Sequence, residues 1–231
     1  DLLFAAGTKQ FTVAKDTYVT PSAKEYLQQK GIVLVRADKI DTEAILNTGQ
    51  AIYTDITTGQ GYRQKPEELT QLKDNLLVGK AHPRIAFRGK LDSLQACMLL
   101  LLKQADAENL PLLYSHLKEL LEYCRQMMAA EVLDTPLEER LFWGLSQEEV
   151  HYLSHHIKES FSITEATPQS DMSNMALQLN WLRTQVRETE VAAAQAFIHN
   201  AENDRPDILQ GLNRLSSAVF VLYCRVLSGY Y

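Results

Sequence analysis

The chain has 231 residues, of which 45% are apolar and 23% charged, with only 10 Gly and 7 Pro. That composition fills a sizeable core and excludes collagen, low-complexity disorder and a disulfide-stapled miniprotein. The formal net charge of −6 speaks against a nucleic-acid partner, which usually meets a basic excess, yet leaves room for one local cationic pocket.

The pattern predicts a small α+β domain over residues 1–75 and a helical bundle over 76–231. Phe11–Ala14 and Ile32–Val35 are short β-type runs. Between them Thr20 can cap a helix, Pro21 suits its first position and Gly31 its left-handed stop. Ala51–Tyr53 predicts another strand, followed by the loop Thr57-Thr58-Gly59-Gln60-Gly61. From Pro83 the apolar spacing turns helical. It runs over Ile85–Ala107 through Phe87, Leu91, Leu94, Met98 and Leu101, then over Leu110–Leu133 through Leu113, Leu117, Leu120, Leu121 and Cys124. Ser146-Gln-Glu-Glu149 is a capping box that opens a helix to about Ser160. Helices over Ser170–Asn203 and from Pro206 to near Gly229 complete a mainly α fold, a bundle of about five helices.

Cys97, Cys124 and Cys224 lie far apart with no CxxC pair, which suits free thiols in a reducing compartment. The longest apolar stretch inside the chain, Ala96–Leu102, falls far short of the ~20 residues that span a bilayer. A soluble cytoplasmic protein without a membrane partner is expected.

Three stretches could carry chemistry. In Asn180-Trp-Leu-Arg183-Thr-Gln-Val-Arg187-Glu-Thr-Glu190, the residues Arg183, Arg187 and Glu190 stand at i, i+4 and i+7. They share a stripe about 60° wide, which Asn180 extends by one turn. One reading is a solvated face with an Arg187–Glu190 pair worth ~0.3 kcal/mol. The other is an anion clamp in which Glu190 orients Arg187 toward phosphate oxygens. The second stretch, Lys80-Ala-His-Pro-Arg84-Ile-Ala-Phe87-Arg88-Gly89-Lys90-Leu-Asp92, gathers Lys80, Arg84, Arg88 and Lys90 at the start of a helix. It reads as an anion site or simply as a charged first turn. Asp92, next to Leu91 and near Leu94, is expected close to the buried side, where a carboxylate needs an arginine from another helix. The third stretch, Arg205–Phe220, sets Asn213, Ser217 and Phe220 on one face. Asn213 is either a buried polar tie between helices or a ligand contact. His151 and His155, with His156 beside them, could grip zinc but lack an HExxH context, and no G-x-x-x-x-G-K-[ST] loop is present.

Taken in order, the Lys80–Asp92 block, Leu179-Asn-Trp-Leu-Arg183-Thr-Gln-Val-Arg187-Glu-Thr-Glu190 and Leu212-Asn213-Arg-Leu-Ser216 resemble the ATP:corrinoid adenosyltransferases. The propanediol-type branch of that family carries K-x-x-P-R-I-x-x-x-G-x-x-D, A-R-T-x-x-R-R-x-E-R and L-N-R-L-S-D blocks. The chain is more similar to the ethanolamine-utilization branch, through Thr20-Pro21-Ser22-Ala23, Lys65-Pro66, Gly144–His155 and Ala193-Ala-Gln-Ala-Phe197. The resemblance extends from Val19 to Tyr223.

The resemblance implies transfer of the 5′-deoxyadenosyl group of ATP to cob(I)alamin, giving adenosylcobalamin and triphosphate in support of ethanolamine catabolism. It implies Arg187 and Glu190 as the catalytic pair at ATP, and Lys80, Arg84 and Asn213 as further ATP contacts. The Thr58, Gly59, Gly61 loop resembles the family's glycine-rich phosphate loop. Asp92 matches an aspartate that salt-bridges the arginine matched by Arg183 across a subunit boundary, and Phe161 stands where relatives face the corrin with an aromatic ring. ATP with Mg²⁺ and cobalamin as a substrate follow, with a homo-oligomer (trimer favoured), a corrinoid reductase and an adenosylcobalamin-dependent ammonia-lyase as partners, and association with a microcompartment. Two departures stand out. Ser217 replaces the aspartate that ends the third block in the propanediol branch. Many ethanolamine-branch members also carry a His and a Cys-Cys-x-x-Cys metal motif before the Lys-Pro stretch, whereas Ala51–Lys73 holds neither Cys nor His. No tightly bound transition metal is therefore expected. A non-catalytic protein that binds or delivers adenosylcobalamin, or docks in a microcompartment, is the alternative.

Overall fold

The computed structural model describes residues 10–14, 19, 27–29, 31–37, 51–199 and 202–231. The chain divides into two compact units, 1–52 and 53–231. In the first, β1 (Gln10–Ala14) pairs in parallel with β2 (Val33–Ala37), Gln10 opposite Val33 and Ala14 opposite Ala37. Leu27–Gln29 are helical. Gly31 then turns the chain at φ 66°, its N–H on the Gln28 carbonyl at 3.1 Å, which is the left-handed stop expected there. The expected cap and first turn at Thr20 and Pro21 lie outside the described residues.

The second unit opens on a sheet ordered β4-β3-β6-β5, made of β3 (Tyr53–Asp55), β4 (Gly61–Tyr62), β5 (Leu69–Lys73) and β6 (Leu76–Gly79). β3 runs antiparallel to β4 and parallel to β6, and β5 and β6 form an antiparallel pair. Six helices follow: α1 (Pro83–Ala107), α2 (Pro111–Leu133), α3 (Gln147–His155), α4 (Ile157–Phe161), α5 (Asn174–Phe197) and α6 (Pro206–Leu227). The sheet belongs with these helices, so the boundary lies at 52/53 rather than at the expected 75/76. The reason is visible in two bonds that tie β5 to the bundle. Arg88 on α1 donates to the Leu72 carbonyl at 2.8 Å, and Lys73 meets Asp134 at the end of α2 at 3.0 Å.

The four long helices form the bundle. α1 packs against both α2 and α5, and α6 against both α5 and α3. Pro opens α1, α2 and α6, where its missing N–H is no loss. The core stripes are those the spacing predicts: Phe87, Leu91, Leu94, Leu117, Leu120, Leu179, Leu182, Leu212 and Leu215 are all fully buried. Two expected helices are shorter than their patterns. The Ser146–Glu149 capping box forms, but the helix breaks at His156, which separates α3 from α4. The helix expected over Ser170–Asn203 starts only after Ser173, whose hydroxyl caps it by accepting the Ala176 N–H at 3.2 Å. It ends at Phe197, and β7 (Ile198–His199) then pairs antiparallel with β8 (Glu202–Asn203).

Gly211 of α6 packs against Tyr123 and Met127 of α2. A Cβ at this position would stand 2.6 Å from Tyr123 Oη and 2.9 Å from Leu137 Cδ2. Tyr123 is itself fully buried and has nowhere to retreat. Gly211→Ala is therefore expected to cost ~1–3 kcal/mol by overpacking, read as a lower urea midpoint at unchanged slope. Among the described residues, no helix is long and apolar enough to cross a membrane.

Candidate functional site

α5 buries Leu179, Leu182, Val186 and Ala193 and turns the neighbouring stripe toward α6. Arg183 lies half-buried on that stripe, its guanidinium over the Phe220 ring at 5.6 Å. Its Nε is buried with no hydrogen-bond partner among the described residues. Arg187, one turn on, is exposed. Neither expected Arg187–Glu190 arrangement forms: Glu190 Oε1 instead accepts a hydrogen bond from Asn213 Nδ2 at 3.4 Å. Asn213 is exposed rather than buried, yet it does tie α6 to α5. The α5–α6 face thus carries Arg183 and Arg187 and, beyond Arg187 on α5, the Glu190–Asn213 bond.

α3 supplies a third wall. Ser154 and His155 join Arg183, Arg187, Ser216, Ser217 and Phe220 around an open cleft of about 210 Å³. His151, one turn earlier on α3, accepts a hydrogen bond from Arg214 Nη1 at its Nδ1, 3.0 Å away. Burial first, then the nearby His155 and Arg214, hold the His151 ring below its ordinary pKa. Among the described residues no carboxylate lines the cleft, so it presents guanidinium, imidazole and hydroxyl groups to a ligand. Such a set suits an anion.

The other expected site residues lie elsewhere on the chain. Lys80 is exposed and meets Glu67 at 2.9 Å, a bond that holds the Glu67 carboxyl below its ordinary range. Arg84 is engaged with Glu131, Nε to Oε1 at 2.7 Å and Nη2 to the backbone carbonyl at 3.1 Å. It also stacks over Phe197 at 5.6 Å. Phe197 is ten residues beyond Arg187, ~15 Å along α5. Thr58 and Gly59 lie in the β3–β4 turn, which folds around the buried Asp55, and Gly61 opens β4. Asp55 accepts from the Thr57 N–H at 2.9 Å and from the Thr58 hydroxyl at 2.8 Å, and these bonds lower its pKa. Phe161, at the end of α4, is half-buried and packs on the core. Asp92 is exposed, against the expectation that it lies near the buried side. On a helix one residue from Leu91 is a turn of about 100°, which carries Asp92 out of the apolar stripe.

A family model described as cobalamin adenosyltransferase matches residues 61–226, which include both walls of the groove. The chain belongs to the cobalamin adenosyltransferase family. Corrinoid adenosyltransferase EutT of Salmonella typhimurium strain LT2 is 39% identical over 160 residues, 69% of this chain but only 58% of that protein. EutT of Escherichia coli K12 is 34% identical over 225 residues, 90% of this chain and 82% of its own length, and that of strain O6:H1 matches to the same extent. No solved structure shows significant similarity.

In this family member the three thiols sit on α1, α2 and α6 and are buried. Burial pushes Cys97 up to about 11, and Cys124 and Cys224 up to about 12, so all stay protonated at neutral pH. Among the described residues, no three His, Cys, Asp or Glu side chains converge as metal ligands. Sequence reasoning missed Ser154 and Ser216 as lining groups and weighed His155 only for zinc. The signal was the i, i+3, i+4 spacing of His151, Ser154 and His155, which puts all three on one face of a short helix.

Proposed function

We propose that the chain transfers the 5′-deoxyadenosyl group of ATP to cob(I)alamin, releasing triphosphate and forming adenosylcobalamin in support of ethanolamine catabolism. The observation that supports this reading is the cleft lined by Arg183 and Arg187, with the Glu190–Asn213 bond on the same two helices, in a member of this family. The hard chemistry belongs to the substrate: the cobalt electron pair attacks C5′ of ATP, the C5′–O bond breaks, and triphosphate leaves with that bond's electrons. The chain holds the reacting atoms in line and stabilises charge on the leaving group. Arg187, exposed and outside any ion pair among the described residues, is the group free to do so. Glu190, held by Asn213, stands on α5 three residues beyond Arg187, and Phe220 gives the cleft an apolar wall. Mg²⁺ accompanies ATP and shares the neutralising role.

Lys80, Arg84 and the Thr58–Gly61 turn complete the ATP contacts from a second copy of the chain. The ~15 Å along α5 between Arg187 and the Phe197 ring under Arg84 supports this division. A homo-oligomer, with a trimer favoured, brings the two halves together, and the exposed Asp92 then meets Arg183 of the neighbour. Single charge reversals, Asp92→Arg or Arg183→Asp, should dissociate the oligomer in sedimentation, while the double swap restores part of it. A monomeric wild type contradicts the pairing. Phe161 is the corrin-facing aromatic. A cytoplasmic setting with a corrinoid reductase, an adenosylcobalamin-dependent ammonia-lyase and a microcompartment fits the same pathway.

The chain needs no resident transition metal in this scheme. Activity should survive a chelator selective for transition metals and fall when Mg²⁺ is withdrawn. Near-stoichiometric zinc or iron in elemental analysis of the purified protein contradicts that expectation. The reaction itself is tested by incubating the chain with ATP and chemically reduced cobalamin. The adenosylcobalamin spectrum should appear with turnover; binding without any new spectrum means a delivery protein instead.

A further inference from the structure

We infer that His155 is a phosphate-binding residue of the cleft, donating a hydrogen bond from Nε2 to an oxygen of the triphosphate; the inference rests on the nucleotide reading above and extends it to α3. The ring lines the same cleft as Arg183 and Arg187. Its Nδ1 lies 2.9 Å from the His151 carbonyl and 3.0 Å from Ser154 Oγ, and Ser154 Oγ donates to the same carbonyl at 2.7 Å. A carbonyl can only accept, so Nδ1 carries a proton and Nε2 is the nitrogen left for a ligand. The backbone of α3 thereby fixes both the tautomer and the ring's orientation.

The ionisable groups around the ring are His151, whose ring centroid is 4.2 Å away, Arg183 and Arg187 of α5, and Arg214 of α6, which holds His151. His151 accepts from Arg214 at Nδ1 and so carries its proton on Nε2, but it does not line the cleft. Ser216 and Ser217 add hydroxyls, and within one copy no acid is among the described residues that line the cleft. With Arg183 paired to the neighbour's Asp92, Arg187 and His155 are left for a bound triphosphate. With Nδ1 held on the backbone, a hydrogen bond from Nε2 to a phosphate oxygen uses the doubly protonated ring. α3 is in this way a functional wall of the site as well as a packing element on α6.

The test is calorimetric titration of inorganic tripolyphosphate into the full chain. His155→Ala, at an exposed position, should weaken binding about tenfold. His155→Gln, which keeps an N–H donor near the Nε2 position, should retain affinity within about threefold. Wild-type affinity in His155→Ala overturns the inference. Arg187→Ala separates the two levels. If it loses tripolyphosphate while His155→Ala does not, only the role of His155 falls; if neither loses it, the nucleotide reading of the cleft falls as well.

Discussion

Arg187→Ala should lower kcat/KM for ATP by roughly 10- to 150-fold with no change in Tm. One charge-assisted contact to a phosphate is worth ~1.5–3 kcal/mol, which converts to that range. The separation of activity from stability follows from where the side chain stands. Arg187 is exposed on the groove face of α5, while its helical neighbour Val186 fills the core. Removing an exposed guanidinium with no ion-pair partner among the described residues leaves no cavity and no orphaned charge. Unchanged catalytic efficiency in a folded Arg187→Ala protein contradicts the assignment of this groove to the nucleotide.

The reverse pattern is expected at Glu131, the largest single stability effect we expect in the bundle. Its side chain is fully buried on α2, and Arg84 and Arg88, one turn apart on α1, both reach it. Arg88 also bonds the Leu72 carbonyl, so the cluster joins α1, α2 and β5. Glu131→Ala leaves two largely covered guanidinium groups facing each other without an anion. Breaking a buried pair from one side costs ~3–5 kcal/mol. A urea midpoint that moves by less than the equivalent of ~1 kcal/mol contradicts this account of the cluster.

Glu131 also shows what was legible in the sequence and what was passed over. The stripe Cys124, Met127, Glu131 at i, i+3 and i+7 puts a carboxylate on the buried face of α2, and Arg84 and Arg88 offer charges at i and i+4 on α1. Apolar periodicity alone reads past it. The long helices were legible because their stripes repeat over many turns, and the groove because Arg183, Arg187 and Glu190 share one helix. Asp92 was misplaced because adjacency in sequence is not adjacency on a helix. The strands of β3 to β6 run only two to five residues, too short for period-2 alternation to speak, and β5 is fixed by what it touches in the bundle. The break at His156 had no glycine or proline to announce it.

The central claim is that a carbon–cobalt bond forms as an intact triphosphate leaves. The most direct test is to quantify both products of one reaction, adenosylcobalamin by absorbance and the phosphate species by anion-exchange chromatography, with ATP and chemically reduced cobalamin supplied. The account predicts one triphosphate per adenosylcobalamin, with both falling together in Arg187→Ala. Release of phosphate or diphosphate uncoupled from adenosylcobalamin, or adenosylcobalamin formation indifferent to Arg187, would contradict it.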